Sequence, residues 1–131
     1  MSAAFRHPTI EAVLSIHAEV LAAHGGGTGL RSRDLLESAI AAPQATMMGT
    51  TLITDPVEIA AAYLYYLCCN HPFVDGNKRV ALATCLVVLG ANGMLPTEEL
   101  DTDAWETLTL EVAAGALNRT DTTVRLRALL G

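Results

Sequence analysis

Ile59-Ala60-Ala61-Ala62-Tyr63-Leu64-Tyr65-Tyr66-Leu67-Cys68-Cys69 and Val80-Ala81-Leu82-Ala83-Thr84-Cys85-Leu86-Val87-Val88-Leu89 decide the fold. Both stretches are apolar nearly all round, and a helix of that kind is buried at the centre of a bundle. Asp55-Pro56 ahead of the first supplies a cap followed by proline at the first helical position, which predicts a helix from there to about Asn70. The second stretch predicts a helix from Asn77 to about Asn92, ended by Gly93.

The rest of the chain arranges itself around this pair. Thr9 caps a first helix to about His24, stopped by Gly25-Gly26-Gly27. Ser32 caps a short second helix that stops before Pro43. A fifth helix is expected from Asp101 or Thr102 to about Gly115, and a sixth from Thr120 or Asp121 to the end. Residues 44–54 lose helical periodicity and place β-branched residues around Gly49, so a small β-hairpin flap is expected there. The fold class is therefore all-α, a compact six-helix bundle with a small hairpin.

Composition narrows the function. A chain of 131 residues is one domain with one core, and its scarcity of aromatics (two Phe, three Tyr, one Trp) leaves Ala and Leu to build it, which favours helix. The longest apolar stretch, Val80 to Ala91, is interrupted by Thr84 and Gly90 and falls short of a membrane span, and Met1 to Pro8 lacks a signal-peptide core. A soluble, cytoplasmic protein without a membrane partner is expected. Eight basic against fourteen acidic residues give a net charge of −6, the wrong balance for direct nucleic-acid binding. The basic clusters Arg31/Arg33, Lys78/Arg79 and Arg125/Arg127 are each too small to track a phosphate backbone, although one suffices for a single triphosphate. Cys68, Cys69 and Cys85, odd in number and set in apolar helical pattern, are expected as buried thiols in a reducing compartment.

Between the two central helices lies His71-Pro72-Phe73-Val74-Asp75-Gly76, followed by Asn77-Lys78-Arg79. A turn held by two core helices is a rigid place for a site. A helix opening at Asn77 points unpaired N–H groups and its positive dipole end out of the bundle, an anion site to which Lys78 and Arg79 add charge. Gly76 lets backbone approach a phosphate, and Asn77 can donate to a phosphate oxygen or cap the helix. Asp75 beside a polyphosphate would hold Mg²⁺, and His71 can take a proton from an attacking hydroxyl. Phe73, between polar positions, is expected to turn inward and anchor the loop. Singly, each has a plain structural role: Asp75-Gly76 as a turn, His71 as a helix C-cap, Lys78/Arg79 as a solvated first turn. Together, six fixed positions in H-x-F-x-D-x-N-K-R coincide by chance on the order of once in 10⁷–10⁸ windows. His7, His17 and His24 read as surface or helix-packing residues, and Gly25–Gly29 has neither the strand nor the Gly-Lys-Ser/Thr of a phosphate loop.

At this point the chain resembles the Fic/Doc family, and within it the Doc (death-on-curing) branch. The likeness extends to His24-Gly25-Gly26, Gly29-Leu30-Arg31, Leu35-Leu36-Glu37-Ser38-Ala39 and Pro43-Gln44, so residues 1–131 are read as one Fic/Doc domain. The resemblance implies that His71 is the catalytic base, that Asp75 binds the metal, and that Gly76, Asn77, Lys78 and Arg79 hold the phosphates of ATP, with Mg²⁺. AMP-transferring relatives usually carry Gly where Lys78 stands. Doc-type proteins carry Lys, bind ATP reversed and phosphorylate a Thr of elongation factor Tu, stopping translation. The resemblance thus implies a kinase toxin whose partners are that protein substrate and a small Phd-like antitoxin. The alternatives are transfer of AMP or another nucleotide, against which Lys78 speaks, and a weakly catalytic binding module, against which His71 and Asp75 speak. Two positions depart from the pattern: Cys69 where some Doc proteins have a basic residue, and Val80 where a Thr often follows N-K-R. No Glu is followed by Gly or Asn, so the inhibitory Ser/Thr-x-x-x-Glu-Gly/Asn segment of many Fic proteins is missing, and regulation is expected in trans. The flap residues Met47, Met48, Leu52 and Ile53 are candidate apolar walls for that partner.

Overall fold

The computed structural model describes residues 4–131. In chain order the elements are α1 (Ile10–His24), α2 (Arg33–Ala41), β1 (Thr46–Met47), β2 (Thr50–Thr51), α3 (Pro56–Asn70), α4 (Asn77–Ala91), α5 (Thr102–Ala113) and α6 (Arg119–Leu130). The expected six helices and hairpin are present. β1 and β2 pair antiparallel in the register Thr46 to Thr51 and Met47 to Thr50.

Local chemistry sets most helix starts. The side chains of Thr9, Ser32, Asp55, Asp101 and Asn118 each accept a backbone N–H from the first turn of α1, α2, α3, α5 and α6, and such a cap contributes about 1 kcal/mol. The last helix begins earlier than expected, at Arg119, because Asn118 is the residue that caps it. α2 ends at Ala41, before Pro43 as expected, and a 3-10 turn over Ala42–Gln44 follows, placing the proline where a missing N–H is harmless. α5 ends at Ala113, short of Gly115.

α3 is the central element and packs against α2, α4, α5 and α6, while α4 packs against α1, α3 and α5. Ala60, Ala61, Ala62, Tyr63 and Leu64 are all fully buried, so α3 is surrounded as expected. α4 is not. It buries Val80, Ala81, Thr84, Cys85, Val88 and Leu89, but Leu82, Ala83 and Leu86 are only half covered and Val87 is exposed. That uncovered apolar face becomes one wall of a cleft. The cysteines divide as well: Cys68 and Cys85 are buried, but Cys69, on the outward side of the last turn of α3, is exposed. Ion pairs tie α6 back to the bundle through Arg119–Glu58, Arg125–Glu111 and Arg127–Asp55.

Among the described residues no helix is long and apolar enough to cross a membrane.

Candidate active site

α3 ends on His71, which takes the left-handed conformation (φ 47°, ψ 57°). A non-glycine residue there is uphill and needs its surroundings to hold it. The turn that follows is anchored by Phe73, which is 1% exposed as expected and stacks on His17 with ring centroids 3.9 Å apart and an interplanar angle of 12°. Burying a side chain of that size stabilises the loop by roughly 1.5–3 kcal/mol. Asn77 closes the turn from inside. Its Oδ1 accepts from the Phe73 N–H at 2.9 Å, and its Nδ2 donates to the Phe73 carbonyl at 3.0 Å. The side chain therefore serves the loop, neither capping α4 nor projecting freely, and its backbone N–H is the group left for a ligand.

Gly76 stands at the N-cap position just ahead of α4, and its φ of +80° explains the glycine better than crowding does: a Cβ there would meet Val20, His17 and Leu21 only at ordinary contact distances. Of the six helices, this is the one whose first turn receives no side-chain cap. Its leading N–H groups point outward with the positive dipole end, and Lys78 and Arg79 stand exposed beside them. They open on a cleft of about 740 Å³ between α1, α4 and α5. His71, Asp75, Gly76, Asn77, Lys78 and Arg79 line its polar end; Val20, Val74, Leu82, Leu86 and Leu110 line its apolar walls, with Glu106 on α5.

Asp75 is exposed yet held. Its Oδ2 accepts from the Gly27 N–H at 3.2 Å and its Oδ1 from the Gly76 N–H at 2.8 Å. Those two bonds, Gly27 first, and the charge of Arg79 hold its carboxyl below the usual range, so it is an anion at neutral pH. The His17 ring fixes the backbone beneath, its Nε2 donating to the Asp75 carbonyl at 3.0 Å.

The donor set fits a magnesium-bound triphosphate. Free N–H groups, Lys78 and Arg79 suit phosphate oxygens, and each Asp75 oxygen keeps lone-pair capacity toward a cation. No group of three or more His, Cys, Asp or Glu capable of caging a metal occurs among the described residues. A single carboxylate with phosphate oxygens and water is how Mg²⁺ is commonly bound.

All six site residues expected from the sequence thus lie on one cleft wall. Three contributors were not legible there. His17, read as helix packing, supports both Phe73 and Asp75. The glycine run, read as a helix stop and as part of the family likeness but given no role at the site, lies against the loop: Gly27 holds Asp75, the Gly29 carbonyl accepts from the Val74 N–H at 3.1 Å, and Leu30 forms a β-bridge with Phe73. Arg31, read as part of a small basic cluster and of the family likeness but given no role at the site, donates to the carbonyls of Asn70 and His71.

The sequence model of the Fic/DOC family matches residues 7–89, from just before α1 to within α4. The chain belongs to the Fic/DOC family. It is 42% identical over 91 residues to Toxin Doc of Mycolicibacterium smegmatis, covering 70% of each chain. It is 31% identical over 126 residues to Protein kinase doc of Escherichia phage P1, covering 96% of this chain and 97% of that one. The family match runs from α1 through the glycine segment, α2, α3 and the loop to Leu89, two residues short of the end of α4, and so takes in the polar end of the cleft, while α5 and its Glu106 lie beyond it.

Proposed function

We propose that this protein is a Doc-type toxin that transfers the γ-phosphoryl group of ATP to a protein hydroxyl, with a threonine of elongation factor Tu as its target, and that a separate antitoxin silences it. The observation that carries the reading is the uncapped N-terminus of α4 with Lys78 and Arg79, set beside a backbone-held carboxylate and an imidazole on the same cleft wall. The names of the two relatives, a toxin and a protein kinase, agree with it.

In this scheme the N–H groups of Asn77, Lys78 and Arg79 and the two cationic side chains bind the phosphates, and Asp75 is the protein ligand to Mg²⁺. The ion would neutralise charge on the bridging and terminal phosphate oxygens. A ring nitrogen of His71 accepts the proton of the target hydroxyl as its oxygen forms a bond to the γ-phosphorus. The bond from that phosphorus to the ADP oxygen breaks, and ADP leaves with the electron pair. Lys78 occupies the space that a glycine would leave for an α-phosphate and supplies a point charge for the terminal one. A cytoplasmic setting goes with such a target.

The antitoxin is proposed as a short disordered segment that folds as a helix on apolar walls beside the charged centre. Met47, Met48 and Leu52 are exposed on and beside the hairpin and support that placement, whereas Ile53 is buried and drops out as a wall.

ATP labelled on either the α- or the γ-phosphate, incubated with bacterial lysate and the protein, tests the chemistry. γ-label on a protein band is expected. α-label on protein would replace phosphoryl with nucleotidyl transfer, and no protein label would end both readings.

A further inference from the structure

Three consecutive carbonyls at the end of α3 accept hydrogen bonds from one residue. Arg31 Nε donates to the His71 carbonyl at 2.7 Å, its Nη2 to the Asn70 carbonyl at 2.9 Å, and its backbone N–H to the Pro72 carbonyl at 2.7 Å. The last carbonyls of a helix have no partner inside it and carry its negative dipole end, so a guanidinium answers both deficits. The carbonyls it grips flank and include the residue in the left-handed conformation, His71.

Geometry links the grip to the base. A helix that continued or frayed at its C-terminus would carry the His71 backbone out of the left-handed well, and its carbonyl would rotate with it. With the planar fork anchored on the Asn70 carbonyl, that rotation pulls the His71 carbonyl off Nε and breaks its bond, which opposes any change in the Cα–Cβ direction of His71, a residue that lines the cleft. The other supports of the loop act further along: Asn77 on Phe73, Gly29 on Val74, His17 on Asp75. Arg31 is the contact that holds His71 itself, and it does not line the cleft, so it is not a phosphate ligand.

We propose that Arg31 is the positioning residue for His71, a guanidinium clamp that sets the direction of the general base from outside the cleft. The proposal rests on the reading of His71 as the base.

The test compares wild type, Arg31→Ala and Arg31→Lys in steady-state transfer of labelled γ-phosphate to the target, alongside hydrogen exchange of the free proteins. Misplacing a reacting group by an ångström costs up to about 10²-fold, so Arg31→Ala should lower kcat roughly 10- to 10²-fold. The KM for ATP should stay within about twofold, because nothing in the phosphate cradle is touched. Arg31→Lys keeps the charge but cannot span two carbonyls, and it should recover part of the loss. In Arg31→Ala the Val74 amide, bonded to Gly29 at 3.1 Å, should exchange at least about tenfold faster as the loop loosens. A folded Arg31→Ala with wild-type kcat, or with its whole loss in KM, overturns the proposal. Should Arg31→Ala not fold, Arg31→Lys decides: reduced kcat at unchanged KM supports the clamp, and wild-type kcat overturns it. Should wild type transfer no phosphate, the proposed function falls while the clamp is still judged by exchange, and unchanged Val74 protection overturns it.

Discussion

Gly26→Ala separates the glycine segment's structural duty from its duty to the site. Gly26 has φ +122°, where an L-residue is strained by on the order of 1–3 kcal/mol. A Cβ added there would lie 2.7 Å from Asp75 Oδ2 and 3.2 Å from its Cγ, closer than the atoms can stand. Gly25 is the control. It has φ +76°, and a Cβ there meets nothing within 4 Å, so Gly25→Ala carries backbone strain alone. The Asp75 side chain is exposed and can swing away from the new methyl, so the clash should add little to unfolding. It would break the Gly27 bond, however, and aim the carboxylate away from the position proposed for Mg²⁺. Both variants should therefore lose a few degrees of Tm, by similar amounts, consistent with roughly 1–3 kcal/mol in a chain of this size. Only Gly26→Ala should bind Mg–ATP more weakly, by about 10–100-fold, the usual consequence of losing a metal ligand's support. Differential scanning calorimetry and isothermal titration with a non-hydrolysable ATP analogue and Mg²⁺ measure the two quantities. Equal affinity in the two variants would refute the claim that the glycine loop holds Asp75 for the metal.

The other predictions are briefer. His71→Ala should fold normally, lower transfer by roughly 10²–10⁴ and relieve the growth arrest expected on expression in a bacterial host; a fully active variant in the labelled-ATP assay would remove His71 as base. Polar substitution of Met47 or Met48 should weaken binding of the neighbouring gene's product in a calorimetric titration, and Arg125→Glu should not, since Arg125 sits on α6 paired with Glu111. A maleimide should label one thiol per native chain, Cys69, and slowly at neutral pH, because partial burial raises even that thiol; burial pushes Cys68 and Cys85 up to about 12, and mass spectrometry should find them labelled only after unfolding. At Asp55, burial pushes the carboxyl up, but the Arg127 bond and the Val57 N–H outweigh it and leave it below its ordinary 3.8. A depressed folded value stabilises the fold above the ordinary one and loses that contribution as pH falls through the depressed one. Asp55→Asn, which keeps a cap but cannot titrate, should therefore flatten the acid limb of a Tm-against-pH profile.

The sequence by itself determined the helices and the polar loop, because both are short-range matters. Asp55-Pro56 caps α3 through the Val57 N–H two residues away, and His71 to Arg79 is a contiguous run whose chemistry travels with it. Phe73 turned inward as the large aromatic of a turn whose His71 and Asp75, two residues to either side, are polar and exposed. What only the tertiary structure decided lies at long separation. Arg31 reaches His71 across 40 residues, Gly27 reaches Asp75 across 48, and His17 reaches Asp75 across 58. Nothing in the local pattern of Gly25-Gly26-Gly27 says that a carboxylate from another helix junction will lie against it. The same holds for the open face of α4: Leu82 and Leu86 read as core because they are apolar, and they line a cleft because the neighbouring helices do not cover that side. Periodicity reports how apolar a face is, whereas coverage depends on where the neighbouring helices come to rest. For Cys69 the deciding fact is the side of α3 it faces: Leu67 and Cys68 in the same turn are buried, and Cys69 points out of the bundle.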